Sequence, residues 1–197
     1  MRDRPRRVRA GWGLMMAAVL ALVFGGLTPV LAASSPALSF GRVGGTPAVP
    51  RGDVAEGQLP PSQRLTVTVA FKPQDQAALT AFIADLSDRS SPLFRHYLTP
   101  KGFGQRFGAS LATLHEVSGA LSRLGLRLGS VPPDRVSLAA TGTVSQIEAA
   151  FSVQLRSYRT AGGREAFAPN RAPLVPDPAA VRAVLGLDTL VAYHPLL

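Results

Sequence analysis

Between Arg64 and Lys72 the chain alternates without a lapse. Leu65, Val67, Val69 and Phe71 are apolar, while Thr66, Thr68, Ala70 and Lys72 are small or polar. A strict period of two marks a β-strand with one buried face and one open face. A strand of this kind needs neighbours along its edges and helices over its apolar side, so the rest of the chain has to supply both.

The segments that follow do so. Lys72-Pro73 ends the strand, and Asp75 and Gln76 open a helix whose stripe is Leu79, Phe82, Ile83 and Leu86. Ser110 caps a second long helix with Leu111, Leu114, Val117, Leu121 and Leu124 on its inner face, and Gly125 stops it. Leu126, Leu128 and Ser130 predict a second strand, and Val136 and Leu138 a third. Pro132-Pro133-Asp134 between them is turn chemistry, so the two pair as a hairpin. Thr143 and Gln146 have the spacing of a capping box, and the helix they begin buries Ile147, Ala150 and Phe151. Residues 153–158 alternate again as a fourth strand, Ala161-Gly162-Gly163 turns the chain, and residues 165–168 return along an edge. Prolines 173, 176 and 178 enforce an extended run, and residues 178–185 read as a short helix. The order is β-α-(α)-β-β-α-β. It predicts an α+β domain of the ferredoxin-like, split βαβ kind, an antiparallel sheet with helices on one face.

Residues 1–32 read as a secretory signal: five arginines, an apolar run from Trp12 to Leu27, and a small-x-small site that places cleavage between Ala32 and Ala33. The competing reading is an uncleaved anchor, since about 20 apolar residues span a bilayer; Gly25-Gly26 and Pro29 break the run and favour cleavage. The signal supplies the only expected membrane contact, and the remainder is expected outside the cell. It has no cysteine, so it has to fold on its core alone. The first 32 residues hold five Arg and one Asp, a share of +4, which leaves +5 of the whole chain's +9. Those arginines are scattered rather than clustered, which argues against nucleic acid as a partner. Residues 33–63 are rich in Pro and Gly and read as a flexible linker, so the expected domain runs over 64–191 with a tail at 192–197.

No catalytic constellation emerges. His96, His115 and His194 are scattered, there is no Gly-x-Ser-x-Gly elbow and no thiol, and no spacing suits a metal. Asp75, Asp85, Asp88, Glu116, Glu148 and Glu165 are expected on helix surfaces or strand ends, solvated.

The most distinctive stretch is 91–108, SPLFRHYLTPKGFGQRFG. Ser91-Pro92 is a turn, Thr99-Pro100 starts a helix, and Phe103 and Phe107 share a face of it at i, i+4. Phe94, Arg95, His96, Tyr97, Leu98, Thr99, Pro100, Phe103 and Phe107 together resemble the signature of the pro-kumamolisin activation domain, the propeptide of sedolisin-type serine-carboxyl peptidases. Residues 139–158 are similar to a second stretch of that family through Gly142, Thr143, Glu148, Phe151 and Tyr158. Residues 167–188 resemble its close, ending in Gly186-Leu187-Asp188. Leu121 stands where the family often carries Trp.

The resemblance implies a ferredoxin-like domain whose sheet docks on a peptidase catalytic domain. It would serve as folding template and inhibitor, with the extended C-terminal segment lying toward the substrate cleft and release in acid. The Ser, Glu and Asp of catalysis and the calcium site are implied for the catalytic domain and not for these residues, so no catalytic residue, metal or cofactor is expected here and the chain alone is expected to be no enzyme. The aromatic and aliphatic motif residues are expected mostly in the core, and Arg95, His96 and Arg156 at the peptidase interface. An exported structural or binding domain with the same fold and no protease partner is the alternative.

Overall fold

The structure, a computed structural model, describes residues 39–191. The expected signal over 1–32, its cleavage site at Ala32 and Ala33, and the tail 192–197 lie outside the described residues. In chain order the elements are β1 (Phe40–Arg42), β2 (Val54–Gln58), β3 (Arg64–Phe71), α1 (Gln76–Ser87), α2 (Pro100–Arg106), α3 (Leu111–Arg123), β4 (Arg127–Leu128), β5 (Ser137–Thr143), α4 (Val144–Phe151), β6 (Leu155–Arg159), β7 (Glu165–Pro169), β8 (Leu174–Pro176) and β9 (Val181–Leu185).

The alternating strand β3 sits at the centre, as its two-faced pattern requires. It pairs antiparallel with β5 on one side and β9 on the other, and β4 extends β5, giving the order β4-β5-β3-β9. Val67, Val69 and Phe71 of β3 and Leu138 and Ala140 of β5 are buried on one face. Leu114, Val117 and Leu121 of α3 and Val144, Ile147 and Phe151 of α4 join them in one core. Each of the larger side chains contributes roughly 1.5–3 kcal/mol by leaving water. The domain is α+β and ferredoxin-like.

The caps form where the sequence places them. Asp75, Thr99 and Ser110 each accept a hydrogen bond from the third residue of their helix. The Thr143 hydroxyl accepts from Gln146 N–H, and the Gln146 side-chain Oε1 accepts from Thr143 N–H, completing the capping box.

Three expectations are corrected. Residues 178–185 do not form a helix: residues 181–185 are the edge strand β9, with Val69 opposite Val184 and Ala70 opposite Ala183. The free edge of β3 offers a row of unpaired N–H and C=O groups, and pairing it outweighs a weak local helix preference. Consequently the strand expected in fourth place, now β6, lies in a second sheet of order β2-β6-β7. Residues 33–63, expected as a flexible linker, contain β1, which pairs with β8, and β2, which pairs with β6. Val43 and Leu59 are buried in the main core. Glu56 on β2 also accepts a hydrogen bond from Arg159 on β6 at 2.6 Å. Proline and glycine content reports local stiffness and freedom, and it is blind to a strand partner about 100 residues away. Finally, Ile83 and Leu111, expected on buried stripes, are more than half exposed; α1 buries only Phe82.

Candidate docking face and chain exit

The face of the four-stranded sheet that carries no helix has an unusual make-up. Antiparallel partners share a face, so the register puts Thr66, Thr68 and Ala70 beside Thr141, Ala139 and Ser137, and beside Leu185 and Ala183. Thr66 and Thr141 hydroxyls meet at 3.0 Å across the strands. No acidic side chain lies among these positions. Arg127 flanks Thr141 and Arg64 lies opposite Thr143 at the margin. The one large apolar side chain is Leu185, 56 % exposed. The result is a low, uncharged face with basic margins. Neither Leu185 nor Arg127 stood out in the sequence, because nothing marks their face until the register of β9 and β4 is known.

The motif residues divide into three groups. Phe107 is buried and stacks with Phe82 and Phe103, ring centroids 5.5 Å apart in both cases; the Arg106 guanidinium covers Phe82 at 4.6 Å. Phe94, Leu98 and Phe103 are half-buried, and Thr99 and Pro100 start α2. Phe151 and Gly142 are buried, Thr143 caps α4, and Tyr158 packs on a small second cluster. Tyr97 departs from its expected core role: it is 75 % exposed. Arg95 and His96 beside it are exposed too. The loop turns outward because Arg95 takes a left-handed backbone, φ 59°, with its N–H donated to Leu86 carbonyl at 3.2 Å. Arg156 is exposed on the three-stranded sheet, and no described hydrogen bond or ion pair joins it to Arg95 or His96.

Of the carboxylates expected to be solvated, Glu148 accepts from Leu155 N–H at 2.7 Å and Asp75 from Ala78 N–H at 2.8 Å. Asp134, Asp53 and Asp177, outside that set, accept from the N–H groups of Val136, Ala161 and Ala180. Asp88 accepts from both the N–H and the hydroxyl of Ser90, which hold its carboxyl below the usual range. Among the described residues the ion pairs are those of Arg159, with Glu56 at 2.6 Å and Glu165 at 3.8 Å. Glu56, bonded to the guanidinium, holds the Arg159 pKa above its ordinary value. No cluster of metal-ligating side chains and no helix long and apolar enough to cross a membrane occurs among the described residues.

The closing motif forms the exit from the domain. Gly186, φ 86°, turns the chain off β9 where a Cβ would lie 2.9 Å from Thr66 carbonyl oxygen. Leu187 is buried in the main core, and Asp188 accepts from Leu190 N–H at 2.8 Å.

The described residues thus form a helix-backed sheet with an open, uncharged face and an ordered exit strand. The pro-kumamolisin activation domain family matches residues 51–190, and the chain belongs to that family. It is 34 % identical over 134 residues to xanthomonalisin of Xanthomonas sp. (strain T-22), covering 67 % of this chain and 16 % of that protein. It is 30 % identical over 154 residues to kumamolisin of Bacillus sp. (strain MN-32), covering 72 % and 26 %, and 25 % identical over 142 residues to sedolisin of Pseudomonas sp. (strain 101), covering 71 % and 24 %. The matched stretch is thus a quarter or less of the length of most of these relatives.

Proposed function

We propose that this domain is the exported propeptide of a sedolisin-type serine-carboxyl peptidase, acting as its folding template and as an inhibitor released in acid. The observation that carries the reading is the open face of the sheet. A solvated face would be expected to carry charges, and this one carries Thr, Ser, Ala and the exposed Leu185. Its low relief suits burial against a flat partner surface.

The charge pattern supplies the release. Most of the arginines have no carboxylate partner within the described chain, whereas many of its carboxylates already accept hydrogen bonds from its own backbone. A complementary partner is therefore acidic around the docking face, where Arg64 and Arg127 would meet it, with Arg95, His96 and Arg156 on more distant exposed elements. A partner carboxylate paired with arginine titrates below its free value in the complex. The pairing strengthens binding above the free pKa and is lost as pH falls through the bound pKa.

The test is inhibition of an activated sedolisin-type peptidase by the purified chain, followed by peptide hydrolysis from acid to neutral pH. Tight inhibition near neutrality that fades in acid is expected. A folded chain that leaves a cognate peptidase untouched at every pH would refute the reading and favour a domain without a protease partner.

A further inference from the structure

The outer edge of β7 is not free. Thr189 N–H donates to Phe167 carbonyl at 2.8 Å, and Phe167 N–H donates to the Thr189 hydroxyl at 2.9 Å. Arg164, one residue before β7, donates through one guanidinium nitrogen to the carbonyls of both Thr189 (2.8 Å) and Leu190 (3.0 Å). Leu190 is only 4 % exposed, packed on Ala166, Ala168 and Tyr158, while the next residue, Val191, is 59 % exposed. Four residues after the end of β9 in one sheet, the chain is thus fastened to the edge of the other.

We infer that Arg164 and Thr189 form an exit clamp that withholds residues 187–190 from proteolysis. A peptidase engages extended backbone whose N–H and C=O groups are free to pair with it. Backbone held in a folded edge reaches that state only by local opening. With the clamp closed, residues 187–190 are withheld and cleavage falls beyond Leu190. Arg164 is a positioning residue: its guanidinium orients the outgoing carbonyls and touches no reacting group. Under the propeptide reading the clamp sets the direction in which the inhibitory segment leaves, but the clamp itself does not depend on that reading.

The test therefore uses an unrelated, broadly specific protease. The purified chain and its Arg164→Ala, Arg164→Lys and Thr189→Val variants are digested briefly, and product termini are read by mass spectrometry alongside amide exchange at Phe167 and Leu190. The wild-type chain is expected to be trimmed from its C-terminal side and to stop beyond Leu190. Arg164→Ala is expected to move that stop inward, with cleavage within 186–190 and exchange at Leu190 faster by about tenfold, the loss of hydrogen bonds to a charged donor being read through local opening. Arg164→Lys keeps the charge without the fork and is expected to restore part of the protection. Thr189→Val keeps the shape and is expected to free the Phe167 N–H selectively. Thr99→Ala serves as control, since it removes the cap of α2, a hydrogen bond to Gly102 N–H that involves neither Arg164 nor Thr189. An unchanged stop and unchanged exchange in both Arg164→Ala and Thr189→Val would overturn the inference, as would acceleration spread over the whole chain. A failure of inhibition with the clamp intact would count against the propeptide reading alone.

Discussion

Replacing Gly104 by alanine tests the packing that holds the distinctive motif in place. Gly104 lies inside α2, where alanine ordinarily stabilises by about 1 kcal/mol. Its backbone lies outside the left-handed region, so alanine meets no conformational penalty there. What it meets is backbone: the new Cβ would stand 2.1 Å from Pro133 carbonyl oxygen and 3.1 Å from Asp134 Cα. Helix and turn have to separate, and overpacking of this kind costs roughly 1–3 kcal/mol, occasionally more. The contact is severe and rigid, so after subtracting the propensity gain a net loss of about 2 kcal/mol is expected. In a domain of this size that lowers Tm by about 4–8 °C. Gly119 is the matched control. It lies inside α3, has an ordinary φ, and an added Cβ would meet nothing within 4 Å. Gly119→Ala is expected to raise Tm by about 2–4 °C from propensity alone. Thermal melts followed by circular dichroism compare the two. If Gly104→Ala melts at or above the wild type while Gly119→Ala behaves as stated, the close approach of α2 to the 133–135 turn is wrong.

Thr143→Val removes the hydroxyl of the capping box at nearly constant shape and is expected to cost about 1 kcal/mol in the same melts, with Thr143→Ser restoring it. Glu148→Ala leaves Leu155 N–H without its 2.7 Å acceptor and is expected to cost about 1–3 kcal/mol, with Glu148→Gln losing less. Stability against pH carries a sign of its own. Asp88 titrates below its unfolded value because Ser90 donates to it, so its contribution is present above the unfolded pKa of about 3.9 and disappears as pH falls through the folded one. Melts of Asp88→Asn and wild type are therefore expected to converge in strong acid and to separate slightly at neutral pH. Leu185→Asp on the open face is expected to weaken peptidase inhibition at least about tenfold while stability shifts by no more than roughly 0.5 kcal/mol, an exposed site having little to lose.

What the sequence made legible was what is local. The alternation of 65–71, the caps at Thr99, Ser110 and Thr143, and the glycine turn at 161–163 are each decided within a few residues, and each is in place. What was hidden depends on partners far along the chain. β1 and β2 are too short and too rich in glycine to announce themselves, and they exist because β8 and β6 offer edges 100 or more residues later. β9 reads as a weak helix until the vacant edge of β3 claims it. Tyr97 looks like core by residue type, and only the left-handed Arg95 shows that the loop turns it outward. Gly102 and Gly104 look like weak points of a helix, yet Gly104 is there because the turn at Pro133 leaves no room for a side chain. The exit clamp was the least visible part, since neither Arg164 nor Thr189 carries a local signal.

The replacement of β6 by β9 in the central sheet has a mechanical consequence. β9 closes the sheet that presents the open face, places Leu185 on that face, and two residues later buries Leu187 in the core. The open face and the exit therefore share one strand. A cut beyond Leu190 leaves β9 paired with β3, so the open face outlasts it. A cut within 186–190 would free the end of an edge strand whose partner holds the face together. Under the proposed inhibitory role, proteolysis beyond the clamp and loss of the partner's ionised carboxylates are then separable events, and only the second weakens the docked face. A chain cleaved beyond residue 190 but kept at neutral pH is expected to stay bound and inhibitory. Co-elution of the cleaved domain with an added peptidase on size exclusion checks this, and separation at neutral pH immediately after cleavage would show that the residues beyond 190, not the face, had been holding the two together.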